Sequence, residues 1–154
     1  MGLDMYLEGR KFVSAYSETE TYNNLVEAAG LTKEEIPHSN FGTISLEVMY
    51  WRKVNAVHNW FVNNVQDGMD DCKQYHVDRD KLVELMETCK RVVNNKDDLT
   101  IAEELLPTGS GFFFGDTDYE EYYFEGLLDT IEAIERILKN PAFDGMDFYY
   151  QSSW

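Results

Sequence analysis

The chain has 154 residues, 44% of them apolar and 14% aromatic, with a formal charge of −16. That size and composition exclude a disordered polypeptide and predict one domain, residues 1–154, with a hydrophobic core. So negative a surface excludes direct binding of nucleic acid and of anionic membranes, both of which it repels.

No apolar run approaches the roughly 18 residues needed to cross a bilayer. The opening MGLDMYLEGRKFV lacks the basic-then-apolar pattern of a secretory signal. A cytoplasmic protein is therefore expected. Cys72 and Cys89 are too few for a disulfide framework and are expected as thiols.

Residues 3–14 predict a strand, because Leu3, Met5 and Leu7 alternate with Asp4, Tyr6 and Glu8. Ser17 with Glu20 has capping-box spacing and predicts a helix whose apolar face is Tyr22, Leu25, Val26 and Ala29, stopped at Gly30. Thr32 and Glu35 repeat the box for a short turn. A second strand is predicted over 41–48. From about Tyr50 the spacing predicts a helix to about Val65, with Trp51, Val54, His58, Phe61 and Val65 on one face.

Asp78 is a candidate cap for the next helix, whose stripe is Leu82, Val83, Leu85, Met86, Cys89, Val92 and Val93. Thr100 with Glu103 opens a short helix ahead of Pro107. PTGSG is a turn signal followed by Phe112 to Phe114. Thr117 with Glu120 starts the longest predicted helix, 118–139. The tail alternates Met146, Phe148 and Tyr150 against Asp147, Tyr149 and Gln151, which predicts a closing strand. The expected architecture is α+β: about four helices packed on a small sheet that includes the N- and C-terminal strands.

Charge is unevenly placed. From Asp97 to Asp147 fourteen acids face only Arg136 and Lys139, a balance of −12. Such a face attracts a basic protein surface, including one built to hold nucleic acid. Asp116, Asp118, Glu120, Glu121, Glu125 and Glu132 are the candidate partner-binding residues. The same charge also serves solubility.

The segment YWRKVNAVHNWFV mixes rings with uncharged polar groups that need partners when buried. On the predicted helix, Trp51, Arg52, Asn55, His58 and Asn59 occupy adjoining rows, and Glu47 reaches the same region if the chain turns just after it. These six form a candidate wall for a planar polar ligand. Rings would stack, amides would read donor and acceptor edges, and Arg52 would neutralise a phosphate or carboxylate. The competing reading is that Asn55 and His58 simply fasten the helix to neighbouring backbone.

Other chemistries find less support. Asp116 and Asp118 occupy the helix start where a phosphate loop needs free amides, and no P-loop lysine follows. His38, His58, His76, Cys72, Asp70 and Asp71 supply ligand types but no zinc spacing, so no metal and no cofactor is expected. There is no Gly-x-Ser-x-Gly, and a Cys72–His pair has only composition behind it.

MGLDMYL, EVMYWRKVNAVHNWFV, LLPTGSGFFFG and FYYQSSW together resemble small proteins of bacteriophages and prophages that begin Gly-Leu-Asp-Met-Tyr and carry a Tyr-Trp-Arg-Lys-x-Asn-x-x-His core. The resemblance implies a phage accessory protein in the host cytoplasm and assigns no catalytic residue. The leading expectation is a non-enzymatic, counter-defence binding protein that sequesters a small nucleotide-like ligand at the residue-58 wall. The alternatives are an acidic nucleic-acid mimic that inhibits a basic host protein, and a small hydrolase or transferase using His58 with Glu47. Contact between copies through Phe112 to Phe114 is a further option.

Overall fold

The computed structural model describes residues 2–111 and 114–154. Four strands form one antiparallel sheet: β1 (Asp4–Ser14), β2 (Phe41–Arg52), β3 (Tyr75–Val77) and β4 (Asp147–Ser153), in the order β2-β1-β4-β3. The helices are α1 (Thr19–Ala28), α2 (Asn55–Asn64), α3 (Arg79–Val93), α4 (Leu99–Leu105) and α5 (Glu121–Lys139), with a 3-10 turn at Pro141–Phe143. The fold is α+β as expected, with five α-helices among the described residues rather than about four. The two terminal strands pair directly, Met5 opposite Ser152 and Leu7 opposite Tyr150.

Strand alternation builds the core. Met5 and Leu7 of β1, Trp51 of β2, Val77 of β3 and Phe148 and Tyr150 of β4 are all buried on one face. Above them sit Val57, Trp60 and Phe61 of α2 and the α3 stripe Leu82, Leu85, Met86, Cys89 and Val92. Val83, expected in that stripe, is exposed, since its angular position turns it away from α5. In α5 the inward positions are Tyr123, Gly126, Leu127, Thr130, Ala133, Ile134 and Ile137. Leu128, although apolar, is exposed. Two small residues sit on the inward side: Gly126 lies against Val54, and the buried Thr130 accepts the Trp51 indole hydrogen bond at 2.8 Å.

Three boundary expectations are corrected. Ser17 does not cap α1, because Glu18 holds the N-cap position and makes no side-chain cap bond. Asp98, not Thr100, caps α4, accepting from the Thr100 amide and hydroxyl. At the start of α5 Glu120 takes the N-cap position in place of Thr117, again without a side-chain cap bond.

The largest correction falls at the β2–α2 junction. Tyr50, Trp51 and Arg52 continue the strand, pairing with Tyr6, Met5 and Asp4. The chain turns at Lys53, which adopts φ +58, and only then enters α2. Aromatic residues fit a pleated, half-buried surface well, so Tyr50 and Trp51 extend the strand rather than open the helix.

Candidate functional site

That turn separates the six residues expected to line one wall. Trp51 points into the core from β2, edge-on to Phe61, and Arg52 is exposed on the opposite face of the same strand. Asn55 and His58 are buried in the first turns of α2. Asn59 is half-buried in a separate shallow cleft with Asn63, Trp60 and Pro107. Glu47 lies on β2 in a groove shared with Arg136 and Asn140. The structure therefore does not bring Glu47, Arg52 or Asn59 to the side of His58.

His58 is 2% exposed and both ring nitrogens are engaged. Nδ1 lies 2.8 Å from the Tyr150 hydroxyl and Nε2 lies 3.1 Å from Asp70 Oδ2. A neutral ring protonated on Nε2 satisfies both partners: Nε2–H donates to the carboxylate and Nδ1 accepts the phenolic hydrogen. The second Asp70 oxygen accepts from the Trp154 indole at 3.0 Å. An Asp-His-Tyr series of this kind suggests proton transfer, but Tyr150 is 0% exposed and stacked on Phe61 with ring centroids 3.9 Å apart. Burial, helped by the nearby Asp70 and Cys72 charges, holds its hydroxyl well above the ordinary phenol range. The two contacts tie α2 to β4 and to the 66–72 loop.

Asn55 is a fastening of another kind. Its amide donates to the carbonyls of Phe114 and Asp116 at 3.0 and 2.8 Å, and its oxygen accepts from the Gly109 amide at 3.0 Å. One buried side chain thereby holds both ends of the 109–116 loop against α2. Phe112 and Phe113 lie outside the described residues, whereas Phe114 is half-buried, edge-on to His58 and Trp154. Gly115 completes the junction. Its φ is +91, and a Cβ there would come 2.9 Å from Lys53 Cβ, closer than side chains pack.

This arrangement opens a cleft of about 410 Å³ between the Lys53–Ala56 corner, the loop and the first turns of α5. Asp116, Asp118, Glu120, Glu121 and Glu125 surround it, with Lys53 as the single cation among the described residues of its lining. All five carboxylates are on exposed residues. Asp116 is partly committed, accepting from the Thr117 amide at 2.7 Å. Glu120 leaves its own helix uncapped, which frees its carboxylate. Tyr122 forms a wall and is fixed by donating to the Arg52 carbonyl at 2.7 Å. Glu132, grouped by sequence with these acids, stands further along α5, 3.5 Å from Arg136 and outside the cleft lining.

Five of the six acids read from the sequence thus converge, and Asn55 of the other set supports them from beneath. The sequence carries no signal for Lys53 or Tyr122 as lining residues, because both arrive through contacts across long stretches of chain. Among the described residues no group of three His, Cys, Asp or Glu side chains is spaced to hold a metal ion. No helix among them is long and apolar enough to cross a membrane. No protein-family model, curated protein or solved structure matches the chain.

Proposed function

We propose that the chain is a non-enzymatic binding protein whose acidic cleft receives the Lys and Arg side chains of a basic protein. The observation carrying this reading is the convergence of five carboxylates on one cleft opposed, among the described residues, only by Lys53. A cation entering there meets several negative charges at close range. Each exposed pair is worth only about 0–1 kcal/mol after solvent screening, so the attraction rests on several carboxylates acting together. Tyr122 adds a ring face suited to a guanidinium or ammonium group. A nucleotide phosphate would meet repulsion in the same place, and the His58 region is filled by protein atoms. Acting as an acidic decoy toward a basic host protein fits the phage accessory role that the sequence resemblance implies.

The test is titration of a short Lys/Arg-rich peptide into the intact protein, in parallel with a nucleotide panel. We expect peptide binding that weakens steeply as salt rises. It is lost on joint Glu121→Lys and Glu125→Lys substitution with the thermal midpoint retained. Nucleotide binding with no peptide binding at low salt overturns the reading.

A further inference from the structure

The outer edge of β2 lies apart from the acidic cleft. We propose that two copies of the chain join edge to edge through antiparallel pairing of Phe41–Glu47. The sheet order leaves the outer edge of β2 without a partner strand among the described residues. Its first half pairs with Glu8–Ser14 of β1, and most of that stretch projects beyond β4, which reaches only Arg10. The register shifts between Leu7 and Glu8, leaving Val48 as the extra residue of a bulge, so the regular edge ends at Glu47.

Natural sheets guard such edges with lysine, proline or inward charges. Phe41–Glu47 has none of these, and its only charge is Glu47 itself. It carries apolar surface instead. Phe41 is 54% exposed, Leu46 55%, and Phe12, stacked on Phe41 with centroids 5.1 Å apart, 59%.

Charge selects the occupant. Two copies carrying −16 each repel at most approaches. The fourteen acids of 97–147 make the α4–α5 side the worst of these, whereas Phe41–Glu47 brings together strands with one charge apiece. Centred on Ile44, antiparallel pairing sets Ile44 against its own copy, Thr43 against Ser45, Gly42 against Leu46 and Phe41 against Glu47. The two Glu47 residues then stand at opposite ends, six positions apart, or about 20 Å at the strand rise. That exceeds the roughly 8 Å screening length of physiological salt. A basic partner finds little at this edge, but a second copy finds its own pattern reversed.

Sedimentation equilibrium of the full chain tests the proposal. We expect the molar mass to rise from 18.0 kDa toward twice that value with concentration. The association should strengthen with salt, because screening removes repulsion between the copies; this is opposite in sign to capture of a basic peptide. Thr43→Lys and, separately, Leu46→Lys should return the protein to monomer with unchanged circular dichroism and thermal midpoint, two variants guarding against misfolding of either. A mass of 18.0 kDa up to the solubility limit overturns the proposal. So does a dimer that both folded lysine variants retain. A monomer whose Phe41–Glu47 amides gain exchange protection only on adding an unrelated extended peptide also overturns it, assigning the edge to that peptide class.

Discussion

The Tyr150 hydroxyl and His58 Nδ1 lie 2.8 Å apart, both sealed from solvent, so each group is the other's partner where water cannot substitute. Tyr150→Phe removes the hydroxyl and leaves a buried ring nitrogen unpaired. The expected loss is about 1–3 kcal/mol of stability, read as a lower urea midpoint at unchanged slope. A midpoint within error of the parent would show that the pair contributes nothing.

Asn55→Ala should cost about 1–3 kcal/mol as well, because the Phe114 and Asp116 carbonyls and the Gly109 amide all lose their partner. The diagnostic reading is local. Exchange at the Gly109 amide should accelerate more than exchange in α3, and affinity for the basic peptide should fall with it. Uniform acceleration across the chain would mean that Asn55 supports the whole fold rather than the loop.

Gly126 sits where α5 crosses Val54. A Cβ would stand 2.8 Å from Val54 Cγ1 and 3.0 Å from Cγ2. Alanine improves helix propensity by about 1 kcal/mol, but overpacking costs about 1–3 kcal/mol, so Gly126→Ala should destabilise on balance. Val54→Ala should relieve the clash, making the double variant more stable than the two single changes predict. Strict additivity in the cycle would place the cost elsewhere.

Stability should fall on the alkaline side. Burial pushes the Cys89 thiol up to about 12 from an ordinary 9.0. Burial likewise raises the Tyr123 and Tyr150 hydroxyls above their ordinary 10.0. These groups hold their protons more tightly folded than unfolded, so their contribution is complete below the unfolded values. It is lost as pH climbs from there through the folded ones. The urea midpoint should therefore drop as pH rises above 9, and Tyr123→Phe should flatten that slope. A midpoint independent of pH in that range would contradict the assigned burial.

Much of the fold was legible because its signals are local. Met5 and Leu7, and Phe148 and Tyr150, alternate clearly enough to place both terminal strands. The Leu82–Val92 stripe fixed α3. The junction at 50–55 was not legible: Trp51, Val54 and His58 stand three and four residues apart, which mimics a helical face. The left-handed turn at Lys53 that breaks it has no glycine to announce it. The three-residue β3 is too short to show a period. Capping-box spacing was permissive, since Ser17 and Thr117 fit the pattern while neighbouring residues took the cap positions. Of the candidate site, the acids were visible as charge. Their gathering into a cleft was not, because it depends on Asn55 reaching residues 54 to 61 positions away.

The strand that fills the middle of the sheet comes from the far end of the chain. β4 lies between β1 and β3, and its Ser152 stands opposite Met5. Closing so long a loop costs roughly 4 kcal/mol of chain entropy, before any contact in that ladder is gained. The β1–β2 hairpin and the α3–α5 pair close shorter loops and can assemble first. On topology alone, β4 is expected to dock after those pieces, because its ladder with β1 joins the most distant parts of the sequence.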